Sequence, residues 1–168
     1  MKFLYHLDRM NCLLPGMFIQ LHRFASEIEP EAAISLNALY PQGVSRFGAA
    51  ILSGRTMNLS DLVREREQRL EEIRLSDYPN CPSRFTTVFA CLSVEEAQEF
   101  RRRVGSQEAK IWKLEGLHYS VKDMSFLQDR PPMALEKDGH RYWQGHASNA
   151  PFWECLVTPP VKVIEIVG

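Results

Sequence analysis

The apolar, β-branched run from Phe85 to Cys91 passes almost directly into Ser93-Val94-Glu95-Glu96, and no other stretch constrains the fold as much. A Ser followed three residues later by a Glu satisfies the first free amides of a helix reciprocally. The segment therefore reads as a buried strand, a tight turn and an amphipathic helix. That helix carries Phe100 and runs to about Val104, where Gly105 is placed to end it. A buried strand needs partners, and short apolar segments supply them along the whole chain. Lys2 to His6 and Gly16 to Leu21 read as strands, the second after a Pro-Gly turn. Lys110 to Glu115 alternates as a half-buried strand does. Two further strands close the chain, Phe152 to Val157 and Val161 to Val167. Tyr119 to Leu127 is ambiguous.

Helices fall mainly between the early and late strands. Ser60 can cap a helix reaching Leu75, with Asp61 favouring its first turn and Leu62, Val63, Leu70 and Ile73 forming its apolar stripe. The charges between them (Arg64, Glu65, Arg66, Glu67, Arg69, Glu71 and Glu72) read as a solvated face, with a partner or phosphate surface as the alternative. Glu29 to Leu39 is a shorter helix that Tyr40-Pro41-Gln42-Gly43 ends. Tyr78 to Ser83 is a proline-punctuated loop, and Asp129 to Pro151 is polar and loop-like, with Trp143, His146 and Asn149 inside it. The pattern predicts one α+β domain over residues 1–168, with helices in the N-terminal two-thirds and strands throughout.

Composition excludes several functions. Twenty Lys and Arg against twenty-one Asp and Glu give a net charge of -1, so the chain is not a nucleic-acid module held by charge alone. Cys12, Cys81, Cys91 and Cys155 form no CxxC pair and are too sparse for a disulfide scaffold, as expected of reduced thiols in a cytosol. Asp8 and Arg9 come too early for a signal peptide, and no apolar run approaches the ~20 residues of a membrane helix. A soluble, cytoplasmic protein is expected. The chain has no GxSxG, HExxH, GxxxxGK[ST] or GxGxxG pattern. His6, His22, His118, His140 and His146 lack metal-ligand spacing, so no metal is expected. A zinc site from His140, His146 and Cys155 is the weak exception.

Three elements remain to carry chemistry. They are Tyr5-His6-Leu7-Asp8-Arg9 at a strand end, Ser83-Arg84 leading through Thr87-Val88-Phe89-Ala90 into the capped helix with Phe100, and Glu154-Cys155-Leu156-Val157 opening a late strand. Singly each has an ordinary structural explanation: a strand-end histidine, core aromatics, an edge carboxylate. Together and in this order they resemble the ADP-ribosyltransferase superfamily, in its branch with a His-aromatic-Glu pattern. The resemblance spans Lys2 to Val167. One departure is Val88, which stands where polymerase-like members place a tyrosine.

The resemblance implies a fold of split antiparallel sheets and a reaction that cleaves the nicotinamide–ribose bond of NAD and passes ADP-ribose to an acceptor. Its transition state is an oxocarbenium ion, which a nearby carboxylate stabilises more than it does the substrate. Glu154 would supply that carboxylate and bond the nicotinamide-ribose 2′-hydroxyl. His6 would bond the adenosine ribose, and Phe89 and Phe100 would sandwich the nicotinamide. Asp8 lies on the NAD side of the site, and Arg9 and Arg84 are candidates for the pyrophosphate. Phe152 stands where arginine-modifying members carry Glu or Gln, which argues against an arginine acceptor. Phe152 and Trp153, with Trp143 in the preceding basic-aromatic stretch, suggest stacking on a nucleobase, so RNA or DNA is favoured over protein as acceptor. Arg101, Arg102 and Arg103 could add phosphate contacts, although a helix C-terminus also favours them. The class implies a compact bacterial toxin or effector, with an antitoxin or chaperone partner and no membrane. The rivals are a non-catalytic nucleotide- or RNA-binding module on the same fold and an NAD glycohydrolase.

Overall fold

A computed structural model of the chain describes residues 2–24, 30–53, 60–128 and 132–168. The chain divides into two compact units. One comprises Met1–Gln20, Val88–Ser125 and Gly145–Gly168; the other comprises Leu21–Thr87 and Phe126–Gln144. The α+β expectation and the antiparallel sheets hold.

The first unit contains every labelled strand. β1 (Lys2–Asp8) pairs antiparallel with β4 (Lys110–Gly116), which pairs with β7 (Val161–Ile166), which pairs with the short β2 (Phe18–Ile19). A second sheet places β6 (Trp153–Val157) between β3 (Val88–Ala90) and β5 (Tyr119–Asp123). Tyr119–Asp123 thus resolves as strand, and Met124–Leu127 as a 3₁₀ turn. Leu4, Trp112, Leu114, Val161 and Val163 of the first sheet share a core with Val88, Ala90, Cys155 and Val157 of the second. Tyr5 and Cys91 exchange backbone hydrogen bonds of 3.0 and 2.7 Å, which join β1 to the end of β3.

The capped helix forms where expected, as α4 (Val94–Arg103) in chain order. Ser93 Oγ accepts from the Glu96 amide at 3.1 Å. Glu96 reaches back one residue further than the usual box and accepts from the Leu92 amide at 2.9 Å. Gly105, at φ +66°, adopts the left-handed conformation that terminates helices and that β-carbons disfavour. Ala97, Phe100 and Val104 pack on Leu7, Cys91 and Ile111.

In the second unit, α1 (Pro30–Leu39) begins within the expected helix; Glu29 lies outside the described residues. α2 (Arg46–Ser53) has no counterpart in the sequence reading. α3 (Asp61–Asp77) starts at Ser60, whose Oγ accepts from the Val63 amide at 3.3 Å. Its charges are only partly a solvated face: Glu65, Arg69 and Glu72 are exposed, but two glutamates of the run are not. Glu67 is 1% exposed, and Glu71 and Arg74 are also buried, whereas Leu62 of the expected apolar stripe is 72% exposed. Arg84 Nε donates to Glu67 Oε2 at 2.7 Å, and Arg74 holds Glu71 through bonds of 2.9 and 2.8 Å. Tyr40 Oη and Ser83 Oγ also donate to Glu71. Periodicity cannot distinguish this arrangement from a wet face, because the cations that match the two glutamates lie partly outside the helix.

The stretch read as a loop from Asp129 is also revised. Beyond residues 129–131, which lie outside the described set, α5 (Pro132–Gln144) is a helix, so helices are not confined to the first two-thirds. Leu135, Gly139, Tyr142 and Trp143 lie at helical spacing and are buried. Gly139 lies where α5 packs on the side chains of α3. A β-carbon there would fall 2.9 Å from Ile73 Cδ1 on α3.

The buried pairing gives the first expected outcome. Glu67→Ala removes the buried carboxylate that Arg84 Nε donates to and lowers unfolding stability by about 3–5 kcal/mol in denaturant melts. Glu65→Ala, at an exposed position of the same helix, changes it by less than about 0.5 kcal/mol.

Candidate functional site

β1 ends in an Asp whose carboxylate organises the following turn. Asp8 is buried, and its Oδ2 accepts from the Leu13 amide at 2.9 Å while Oδ1 accepts from the Met10 amide at 3.2 Å. Those bonds commit the carboxylate to shaping residues 9–13. Arg9 is exposed at the start of that turn.

His6, two residues earlier, lies 2.6 Å from the Phe89 carbonyl through Nδ1. A carbonyl can only accept, so Nδ1 carries the proton and donates. Desolvation pulls the imidazole below its ordinary value of 6.5 and outweighs the opposing effects of the Phe89 carbonyl and Asp8. At neutral pH the ring is therefore uncharged, with Nε2 as an acceptor. The bond ties the first sequence element to the second.

Phe89 occupies the middle of β3, opposite Leu156 on β6. Alternation turns its half-buried side chain away from the core that Val88 and Ala90 enter. Val88 thus faces the apolar core, and the ring next to it faces the opposite way. Phe100 lies beside Phe152, with ring centroids 6.3 Å apart and planes tilted by 35°. The Arg103 guanidinium sits 3.9 Å over the Phe152 ring, held by Glu99 at 2.7 Å. Phe152 is buried, and Trp153 is half-buried at the start of β6.

Glu154 follows Trp153 and is 5% exposed. It is the ladder partner of Lys122 on β5, itself buried. Directly opposed residues share a sheet face with β-carbons about 5 Å apart, so a carboxylate and an ammonium are set side by side here. Lys122 received no role from the sequence; only strand register reveals it. Along β6, Glu154 comes one residue before Cys155, the partner of Ala90. That brings it level with Cys91 and so with the junction to β1. Burial pushes the Cys91 and Cys155 thiols up to about 12, which leaves them inert as nucleophiles at neutral pH.

A second residue missed by the sequence reading holds the approach to β6. Asp123 is fully buried, and its oxygens accept from the amides of Ser125 at 3.0 Å, Ser148 at 2.7 Å and Phe152 at 2.9 Å. Burial alone would raise its pKa, but those amide donors outweigh burial and hold the carboxyl below its usual range. The turn leading to Phe152 is fixed by that one side chain. An Asp in the middle of the ambiguous segment Tyr119 to Leu127 gave no signal of this.

Arg84 and Trp143 belong to the second unit. Arg84 is buried against Glu67, and its Nη1 donates to Tyr142 Oη at 2.7 Å. Trp143 is buried in α5, with its Nε1–H donating to the Leu70 carbonyl at 2.9 Å. Both are engaged in the interior of that unit, and the basic-aromatic stretch around Trp143 is helix rather than loop. Among the described residues, no group of three or more His, Cys, Asp or Glu could hold a metal ion. Among them too, no helix is long and apolar enough to cross a membrane.

Residues 37–168 match the family described as "Protein of unknown function (DUF2441)", and the chain belongs to it. The matched span contains Phe89, Phe100, Lys122, Asp123 and Glu154, while β1 with His6 precedes it. No curated protein matches the chain.

The Asp123 anchor gives a signed expectation. Its folded pKa is depressed, so its contribution is complete well above the ordinary carboxyl value of 3.8 and is lost as pH falls through the folded value. Asp123→Asn should cost about 2 kcal/mol at pH 7, the scale of charge-assisted hydrogen bonds. Between pH 5 and pH 2, roughly spanning the carboxyl range, the variant should lose less further stability than the natural chain. Urea midpoints measured across that range check both.

Proposed function

We propose that this DUF2441 member is an ADP-ribosyltransferase that cleaves NAD and passes ADP-ribose to a macromolecular acceptor. The observation that carries the reading is the hydrogen bond from His6 Nδ1 to the Phe89 carbonyl. It links the His of the first motif to the aromatic strand of the second, and it leaves Nε2 free to accept from a ribose hydroxyl. The same unit contains Phe100 on α4 and Glu154 on β6, in the order that the family pattern requires.

In this reading His6 orients the adenosine ribose as a neutral acceptor, and Phe89 and Phe100 supply apolar surface for the nicotinamide. Glu154 accepts from the nicotinamide-ribose 2′-hydroxyl and stabilises the positive charge that builds on that ribose as nicotinamide leaves. Lys122 is its ladder neighbour on β5 and stands beside it on the same sheet face. Arg9 is the exposed cation of the first motif and the better candidate for the pyrophosphate, since Arg84 is engaged with Glu67 and Tyr142. With Trp143 and Phe152 buried, nucleobase stacking on the acceptor side rests on Trp153. A role as toxin or effector, restrained by an antitoxin or chaperone, follows from the class.

A second reading, a module that binds a nucleotide without turnover, is favoured by two observations. Val88 packs into the apolar core at the position of the family's tyrosine, and Glu154 is nearly inaccessible.

Nicotinamide release from NAD by the purified chain separates these readings, measured alone and with RNA, DNA or cell protein. Acceptor-dependent release that falls by about 10²–10³ in Glu154→Gln is the expected result. The stimulating acceptor identifies the class modified. Release without any acceptor indicates a glycohydrolase. Binding of NAD without release supports the module, and neither binding nor release overturns the reading.

A further inference from the structure

His6 and Trp112 are direct partners in the ladder between β1 and β4. Their side chains therefore rise from one face of the sheet, with β-carbons about 5 Å apart. Trp112 is 2% exposed, in the core shared by Leu4, Leu114, Ala90 and Cys155. Its indole Nε1–H has no hydrogen-bond partner among the described residues. That is unusual, because a buried indole N–H normally finds an acceptor. Trp143, the other deeply buried tryptophan, obeys the rule with the Leu70 carbonyl.

The two groups are chemically complementary to a single partner. Trp112 Nε1 can only donate. His6 has committed its one proton to the Phe89 carbonyl, so its Nε2 can only accept. A carboxylate or carbonyl would satisfy the indole and not the imidazole, and an ammonium would do the reverse. A hydroxyl meets both needs, accepting on its oxygen and donating its proton.

We propose that Trp112 and His6 together hold one adenosine-ribose hydroxyl of the bound nucleotide. Trp112 Nε1–H donates to the hydroxyl oxygen, and the hydroxyl proton goes to His6 Nε2. This subsite belongs to the NAD site proposed above and adds to it a residue from β4, a strand that no sequence motif marked. Trp112 is a binding residue and touches no reacting atom.

The natural chain and Trp112→Phe are titrated calorimetrically with NAD and with NAD analogues lacking the adenosine 2′- or 3′-hydroxyl. The Phe side chain keeps an aromatic ring in the core and removes the donor together with part of the indole's buried volume. Trp112→Phe should bind NAD about tenfold more weakly, the scale of one buried hydrogen bond. One deoxy analogue should bind the natural chain equally weakly and should not distinguish the two proteins. Undiminished NAD binding by Trp112→Phe overturns the subsite while leaving the NAD reading intact; no NAD binding by the natural chain overturns both.

A readout on the unaltered core covers a variant that fails to fold. The indole proton of Trp112 is assigned by elimination with Trp143→Phe and Trp153→Phe, and its resonance is followed during titration. A shift with NAD that is absent with one deoxy analogue supports the subsite. A resonance that stays fixed at saturating NAD, as a permanently trapped water would give, overturns it.

Discussion

Tyr5 and Cys91 exchange two backbone hydrogen bonds, and the arrangement of the candidate site follows from that exchange. β3 is only three residues long and pairs with β6, not with the four-stranded sheet. Pairing at Cys91 stitches its end to β1. One residue along β1 from the junction, His6 meets the Phe89 carbonyl. Across the ladder from β3, Glu154 comes level with Cys91. The three sequence elements are far apart along the chain, and a single pair of main-chain bonds brings them to one region of one unit.

Two kinds of buried charge serve the chain differently. Asp123 is neutralised by main-chain amides, which are dipoles already fixed by the turn they define, so the carboxylate orders the backbone leading to β6. Glu67 and Glu71 are matched by guanidinium groups, Arg84 and Arg74, with Tyr40 and Ser83 completing the set. Such pairs add little net stability over an apolar filling, because the desolvation cost offsets the attraction, but they tolerate no loss of one partner. The α3 pairs therefore specify how the Ser83–Thr86 turn sits on α3.

Local patterns were readable where the physics is local. Ser60 and Ser93 cap their helices because a hydroxyl and an amide three residues on need nothing else. Gly105 ends α4 through its own backbone freedom. The readings that failed depended on distant partners. α5 was obscured by the polar residues between its buried positions, Leu135, Tyr142 and Trp143, whose partners lie elsewhere in the chain. The charge run on α3 hid the buried Glu67, because its matching cation Arg84 lies beyond the helix. Trp143 read as an accessible aromatic until its indole proved to be bonded to Leu70 within the core.

Sequence alone determined the α+β class, the strand–turn–helix unit around Ser93 and the candidate residues His6, Phe89, Phe100 and Glu154. Alternation, capping and motif order are properties of short segments, and a chain displays them without being folded. Tertiary structure decided which candidates share a unit, that Arg84 and Trp143 belong to the other one, and that Lys122 pairs with Glu154, Trp112 with His6 and Asp123 with the Phe152 amide. Those three are brought in by strand register and by main-chain bonds across long loops, and register between strands is not written in either strand separately.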